Sequence, residues 1–254
     1  MKKRWLEEIL LIKISIILGR MTKKNIVVIL AGGYGTRLSE YTKRIPKPMV
    51  RVKGKPIIQH IINHYKKFGF KNFLIASGYK GDVIDKYFKK NSKNLNINVV
   101  NTGLNTMTGG RIKRLRSYLK NEKFLLTYGD GLCDLNIDKL FKFHQRSKNI
   151  VTLTAVRPPA RFGAIKIKGS KVNYFKEKSS LDEGWINGGF FVIEPEIFKF
   201  LKGDTTYLEK EPLQKLSKMK KLGAFKHKGF WQCMDTERDK IILEKSISQK
   251  KYKI

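Results

Sequence analysis

An apolar run from Ile26 to Leu30 passes directly into Ala31-Gly32-Gly33-Tyr34-Gly35-Thr36-Arg37-Leu38, and Pro46-Lys47-Pro48-Met49 follows soon after. The run reads as a buried strand, and the three glycines after it read as a loop that lets backbone approach an anion closely. Successive N–H groups in such a loop can wrap a phosphate. Arg37 adds a forked cation suited to a polyphosphate, and Lys47 adds a point charge. A strand, a glycine loop and two placed cations together describe a nucleoside triphosphate site.

Two better-known loops do not fit. Gly33-x-Gly35 begins a dinucleotide fingerprint, but Leu38 stands where its third glycine belongs, and no suitable acidic ribose ligand follows about 20 residues later. A phosphate-binding P-loop would end in Gly-Lys-Ser or Gly-Lys-Thr, and this one does not. A plain tight turn explains the glycines but not Thr36, Arg37 and Pro-Lys-Pro beside them.

Downstream, strand and helix signals alternate. Pro56 opens a helix whose Ile57, Ile58, Ile61, Ile62 and Tyr65 recur near a 3.6 period, and Gly69 ends it. Asn72 to Ala76 reads as a strand, Gly81 to Phe88 as a short helix and Leu95 to Val100 as a strand. The spacing predicts a helix over Arg111 to Leu119, a strand over Phe124 to Tyr128, a helix over Ile137 to Gln145 and a strand over Val151 to Val156. This pattern predicts an α/β fold: a Rossmann-like, mostly parallel mixed sheet flanked by helices. From Phe162 onward short strands at Ile165–Ile167, Val172–Phe175 and Phe190–Ile193 predict a small antiparallel part that holds a sugar. Residues 21–254 read as one domain. Residues 1–20, with Glu7, Glu8 and Lys13 interrupting their apolar patch, read as an extension outside the fold rather than a signal peptide or a membrane span.

The formal net charge of +33 raises the question of nucleic acid. The excess is mostly lysine spread from Lys23 to Lys253, which fits a solvated basic surface better than a binding arm. Neither nucleic acid nor membrane is expected as a partner. Cys133 and Cys233 are too few for a disulfide framework in 254 residues, and a cytoplasmic location follows. His60 and His64 lie four apart on the first helix, without the glutamate of a metalloprotease pair, and read as packing residues.

Asp130 stands between Gly129 and Gly131 after an apolar strand, on the sheet edge where ligands of open α/β folds bind. It reads as a metal ligand, against the alternative of a simple turn. Asp235 in Trp231-Gln232-Cys233-Met234-Asp235-Thr236 is the natural second carboxylate, against the alternative of a helix N-cap or a turn. Two aspartates suffice for Mg²⁺, which usually takes one or two carboxylates plus phosphate oxygens.

The run G-G-x-G-T-R-L followed by P-K-P, with Gly-Asp-Gly, resembles the signature of the sugar-phosphate nucleotidyltransferases. The stretches GYKGDVI, TMTGGR, RFGAI, INGGFFV, EPL and FWQCMDT extend the resemblance from Ile26 to about Leu243. TMTGGR and FWQCMDT resemble the members that use CTP. The resemblance implies the nucleotide-diphospho-sugar transferase fold and Mg²⁺-dependent joining of CTP to a sugar 1-phosphate, α-D-glucose 1-phosphate, for surface-polysaccharide deoxysugars. It implies that Leu30, Ala31, Gly32, Gly33, Tyr34, Gly35, Thr36 and Arg37 hold the nucleotide, with Gly129, Thr106 and Arg111 nearby. Arg37 would act on the leaving pyrophosphate, Lys47 on the α-phosphate, and Asp130 and Asp235 on the metal. Glu177 and Lys178 would hold the sugar phosphate, and Asn187, Gly188 and Gly189 the sugar. Arg111 carries only donors, which suits O2 and N3 of cytosine; the alternative is that it begins a helix and binds phosphate. The family's Glu-Lys-Pro is Glu177-Lys178-Ser179 here, and its Asp-Thr-Gly is Asn101-Thr102-Gly103. The resemblance implies a homo-oligomer. The short segment 94–101 lacks the insertion associated with the family's hexamer.

Overall fold

The computed structural model describes residues 25–159, 163–177 and 184–249. The extension at residues 1–20 and Lys178 lie outside them. In the first half the chain runs β1 (Ile26–Ala31), α1 (Ile57–Lys67), β2 (Asn72–Ser77), α2 (Gly81–Asn91), β3 (Asn96–Asn101), α3 (Thr108–Arg114), β4 (Phe124–Tyr128), β5 (Gly131–Cys133), α4 (Ile137–Arg146) and β6 (Val151–Val156). There follow β7 (Ala164–Lys168), β8 (Lys171–Lys176), β9 (Ile186–Ile193), α5 (Glu211–Lys218), β10 (Leu222–Lys226), β11 (Trp231–Cys233) and α6 (Glu237–Ser248).

Seven strands form one sheet in the order β10-β6-β9-β4-β1-β2-β3. β1 pairs in parallel with both β2 and β4, whereas β9 is antiparallel to both β4 and β6. The mixed, mostly parallel sheet is thus the predicted one. Phe190–Ile193, however, belongs to an eight-residue strand in the middle of the main sheet, not to a separate sugar lobe. The other two expected strands form the exposed hairpin β7–β8, outside the main sheet.

Both faces of the sheet are covered, and β1 shows why its sequence is apolar without alternation. Val27, Ile29 and Ala31 pack in one core cluster with Ile57, Ile61 and Tyr65 of α1 and Leu140 of α4. Val28 and Leu30 pack in another with Ile112 of α3 and Leu213 and Leu216 of α5. The chain moves outward from β1 to β2 and β3, then returns to the other side of β1 at β4. Adjacent strands therefore depart in opposite directions at the β1–β4 junction. That crevice is where open α/β sheets accept ligands, and here it separates the glycine loop after β1 from Asp130 after β4.

The helix expected at Arg111 starts earlier, at Thr108, and stops at Arg114; a single turn, Arg116–Leu119, follows Leu115. Gly109 and Gly110 lie inside the helix instead of preceding it, despite their poor helix propensity. The reason is tertiary: a Cβ on Gly110 would sit 2.6 Å from the Asp204 Cα and carbonyl oxygen. Gly110→Ala should consequently invert the usual helix trend. Relief of backbone entropy favours alanine by about 1 kcal/mol, but overpacking against Asp204 costs about 1–3 kcal/mol. Thermal denaturation of the variant is expected to show a lower Tm; an equal or higher Tm would remove the packing explanation.

Candidate active site

The site is assembled from three pieces of local structure. In the first, the loop after β1 turns at Gly35, whose φ of 66° is left-handed, and enters a short turn over Thr36–Leu38. A Cβ at Gly35 would also lie 2.9 Å from Lys47 Cβ, so glycine gives the lysine stem its passage. In the second, Pro46 and Pro48 fix a single 3₁₀ turn, Lys47–Met49, that presents Lys47. The third is a two-stranded ribbon. β11 pairs antiparallel with β5, placing Cys233 opposite Gly131, and Met234 N–H donates to the Asp130 carbonyl at 2.8 Å. That register carries Asp235 from a distant part of the chain to the side of Asp130.

Lys47 joins the two carboxylates. Its Nζ lies 2.6 Å from Asp130 Oδ2 and 2.6 Å from Asp235 Oδ1, and Arg37 reaches Asp235 Oδ2 at 2.7 Å. Burial works against the charge on Lys47, but Asp130 and Asp235 outweigh it and raise the amine above the usual lysine value. Burial likewise opposes ionisation of Asp235, while Lys47 and Arg37 hold its carboxyl below the usual aspartate value. Lys47 is mostly buried; Arg37 is 72% exposed and so has room to move toward a ligand.

The helix-cap alternative for Asp235 does not hold. Thr236 caps α6, its hydroxyl accepting from Asp239 N–H, and the Asp239 carboxylate accepts from Thr236 N–H in return. Asp239 also accepts from Asp235 N–H at 3.1 Å, which anchors the backbone and directs the Asp235 carboxylate to Lys47. Two acceptor-only oxygens converging on one cation from this rigid ribbon are hard donors of the kind Mg²⁺ selects. Asp130 and Asp235 therefore fit that ion.

A cavity of about 550 Å³ opens beside this cluster. Leu30, Ala31, Gly32, Gly33, Gly35, Thr36, Arg37, Lys47, Thr106, Arg111, Gly129 and Asp130 line it. Tyr34 lies to the side, donating its hydroxyl to Asn105 and packing its ring on Tyr79. Met107, Thr108, Tyr128, Tyr207 and Glu209 also line the cavity, and sequence reasoning missed them. Met107 and Thr108 lie in the TMTGGR stretch and Tyr128 directly precedes Gly-Asp-Gly, whereas Tyr207 and Glu209 offered no signal.

Arg111 is 4% exposed and held by protein acceptors. Nη1 donates to Ser77 O, Thr102 Oγ1 and Gly103 O, and Nη2 to Gly32 O and, more weakly, Leu104 O. The guanidinium thus braces the glycine loop against the β2 and β3 edge, and a bond to a base would compete with these contacts. Asn187 donates its amide to the Tyr128 hydroxyl, and the Gly188 carbonyl accepts from the Trp231 ring nitrogen. Gly189 N–H returns to Asn187 Oδ1. Glu177 is exposed at the end of the β7–β8 hairpin, near Gly163. His60 and His64 donate to two separate carbonyls, Val52 O and Leu135 O, as packing residues do. Burial and the nearby Asp235 and Asp130 push the Cys233 thiol up to about 12, so the cysteine beside the site is no thiolate nucleophile.

The nucleotidyl transferase family model matches residues 26–236, and the chain belongs to that family. The chain is 46% identical over 240 residues to glucose-1-phosphate cytidylyltransferase of Salmonella typhimurium, spanning 85% of this chain and 93% of the relative. It is 36% identical over 172 residues to D-glycero-alpha-D-manno-heptose 1-phosphate guanylyltransferase of Campylobacter jejuni, spanning 67% and 76%. Among solved structures, HddC from Yersinia pseudotuberculosis complexed with GMP-PN superposes with a TM-score of 0.68 at 28% identity, over 88% of this chain and 99% of that one. Among the described residues no helix is long and apolar enough to cross a membrane.

The carboxylate cluster has a pH signature. Because the Asp235 pKa is depressed on folding, its stabilisation is present above the unfolded value of about 3.9 and is lost as pH falls through the folded value. The stability difference between wild type and Asp235→Asn, from urea denaturation, is expected to shrink as pH is lowered from 7 to below 4. A difference constant over that interval would contradict the ion-pair geometry.

Proposed function

We propose that this chain transfers CMP from CTP to α-D-glucose 1-phosphate, forming CDP-glucose and releasing pyrophosphate. The convergence of Arg37, Lys47, Asp130 and Asp235 beside the glycine loop carries this reading. The 46% identity to the Salmonella typhimurium enzyme supports the choice of substrates. A sugar-phosphate oxygen attacks the α-phosphorus in line; that P–O bond forms as the bond to the β-phosphate breaks and pyrophosphate departs. No protein nucleophile is needed, so catalysis is alignment and neutralisation of charge.

The glycine-loop amides and Arg37 bind the β- and γ-phosphates, and Arg37 follows them as they leave. Lys47 neutralises the α-phosphate, where two anions must meet. Asp130 and Asp235 would hold Mg²⁺, which would supply Lewis-acid polarisation of the α-phosphate. Lys178 grips the sugar phosphate, on the strength of the Glu177-Lys178 match, and Asn187, Gly188 and Gly189 border the sugar. Arg111 holds the loop that receives the nucleotide. A reaction fed by CTP and a sugar phosphate belongs in the cytoplasm.

The test is pyrophosphate release with Mg²⁺, each nucleoside triphosphate and a panel of sugar 1-phosphates. CTP with glucose 1-phosphate is expected to give the highest kcat/KM. A preference for GTP with a heptose 1-phosphate would move the assignment to the second relative's reaction, and no turnover with any pair would remove the enzyme reading. Lys47→Ala and Asp130→Asn should each lower kcat by about 10²-fold or more, with the far-ultraviolet circular dichroism unchanged.

A further inference from the structure

Glu209 is a carboxylate facing a cavity built for phosphates, and this is chemically odd. It lines the same cavity as Lys47 and Asp130. Both of its partners among the described residues are hydroxyls: Tyr128 donates to Oε1 at 2.5 Å, and Thr108 donates to Oε2 at 2.6 Å. These two bonds fix the orientation of both oxygens. The Thr108 hydroxyl in turn accepts from Leu208 N–H at 2.9 Å, and the Tyr128 hydroxyl accepts from Asn187 Nδ2 at 3.2 Å. Burial, reinforced by the neighbouring Glu209, holds the Tyr128 phenol well above its usual pKa, so it serves as a donor.

A carboxylate has about four lone-pair sites, and the two hydroxyls occupy one on each oxygen. The remaining acceptor capacity is preorganised at the cavity wall. It repels an anion and rewards a neutral donor. Tyr128 is two residues from Asp130, so a ligand group at Glu209 belongs to a molecule whose phosphate reaches the Asp130–Lys47 centre. A hydroxyl of the hexose or of the ribose combines those properties.

We infer that Glu209, oriented by Tyr128 and Thr108, accepts a hydrogen bond from a sugar hydroxyl of the bound substrate and selects for that hydroxyl. The inference rests on the nucleotidyl-transfer reading for its substrates. The hydroxyl has two sources, the hexose of the sugar 1-phosphate and the ribose of the nucleotide. An acceptor-only group left unpaired by a deoxy substrate is the arrangement that rejects such analogues most strongly.

The experiment compares kcat/KM for glucose 1-phosphate with its 2-, 3-, 4- and 6-deoxy analogues, and for CTP with its 2′- and 3′-deoxy forms. Wild type, Glu209→Gln and Glu209→Ala are all assayed, with circular dichroism as the folding control. One analogue is expected to lose about 10- to 100-fold with wild type, and this penalty should fall to about threefold or less in Glu209→Ala, while penalties for the other analogues persist. A hexose analogue showing this pattern assigns Glu209 to the sugar phosphate, and a nucleotide analogue assigns it to CTP. If every analogue is penalised equally in wild type and in a folded Glu209 variant, the inference is overturned. If wild type turns over no substrate pair, the nucleotidyl-transfer reading has failed instead. The same ratios are then read from calorimetric binding of the two series, where unchanged ratios again overturn the role of Glu209.

Discussion

One ammonium group holds the active site together. Lys47 Nζ is shared at 2.6 Å between Asp130 and Asp235, and without it two carboxylates would face each other in a partly buried crevice. Like charges that close are costly. Lys47 therefore does two things at once. It holds both carboxylates at one point, and on the proposed reading it places positive charge where a phosphate would approach.

The rest of the structure keeps that arrangement in register. β1 and β4 are neighbours in parallel, so the glycine loop and Asp130 emerge at the same edge. The short ribbon of β5 and β11 adds Asp235, and the Thr236–Asp239 capping box stops α6 from drawing that carboxylate away. Arg111, held by four backbone oxygens and the Thr102 hydroxyl, ties Gly32 to the loop after β3. The glycine loop is thus braced from behind, which on the proposed reading lowers the ordering cost of binding a nucleotide.

Much of this was legible in the sequence, for identifiable reasons. β1, β4 and α1 are buried strongly enough to impose continuous or 3.6-period apolar patterns, and they were found where expected. The strands β5 and β11 have three residues each, too few to show a period, so the pairing that brings Asp235 to Asp130 could not be read from spacing. The α3 boundary was misplaced because Gly109 and Gly110 obey a close tertiary approach rather than helix propensity. Glu209 escaped notice for a related reason: its partners Tyr128 and Thr108 are 81 and 101 residues away in sequence. Arg111 lines the cavity, but its bonds to five protein oxygens depend on loops that no local pattern describes.

The ribbon register should make Asp130 and Asp235 one divalent-cation site. Electron paramagnetic resonance of Mn²⁺ titrated into the protein with CTP tests it directly. One tightly bound Mn²⁺ per chain is expected, lost in both Asp130→Asn and Asp235→Asn. Undiminished tight binding in either folded variant would contradict it.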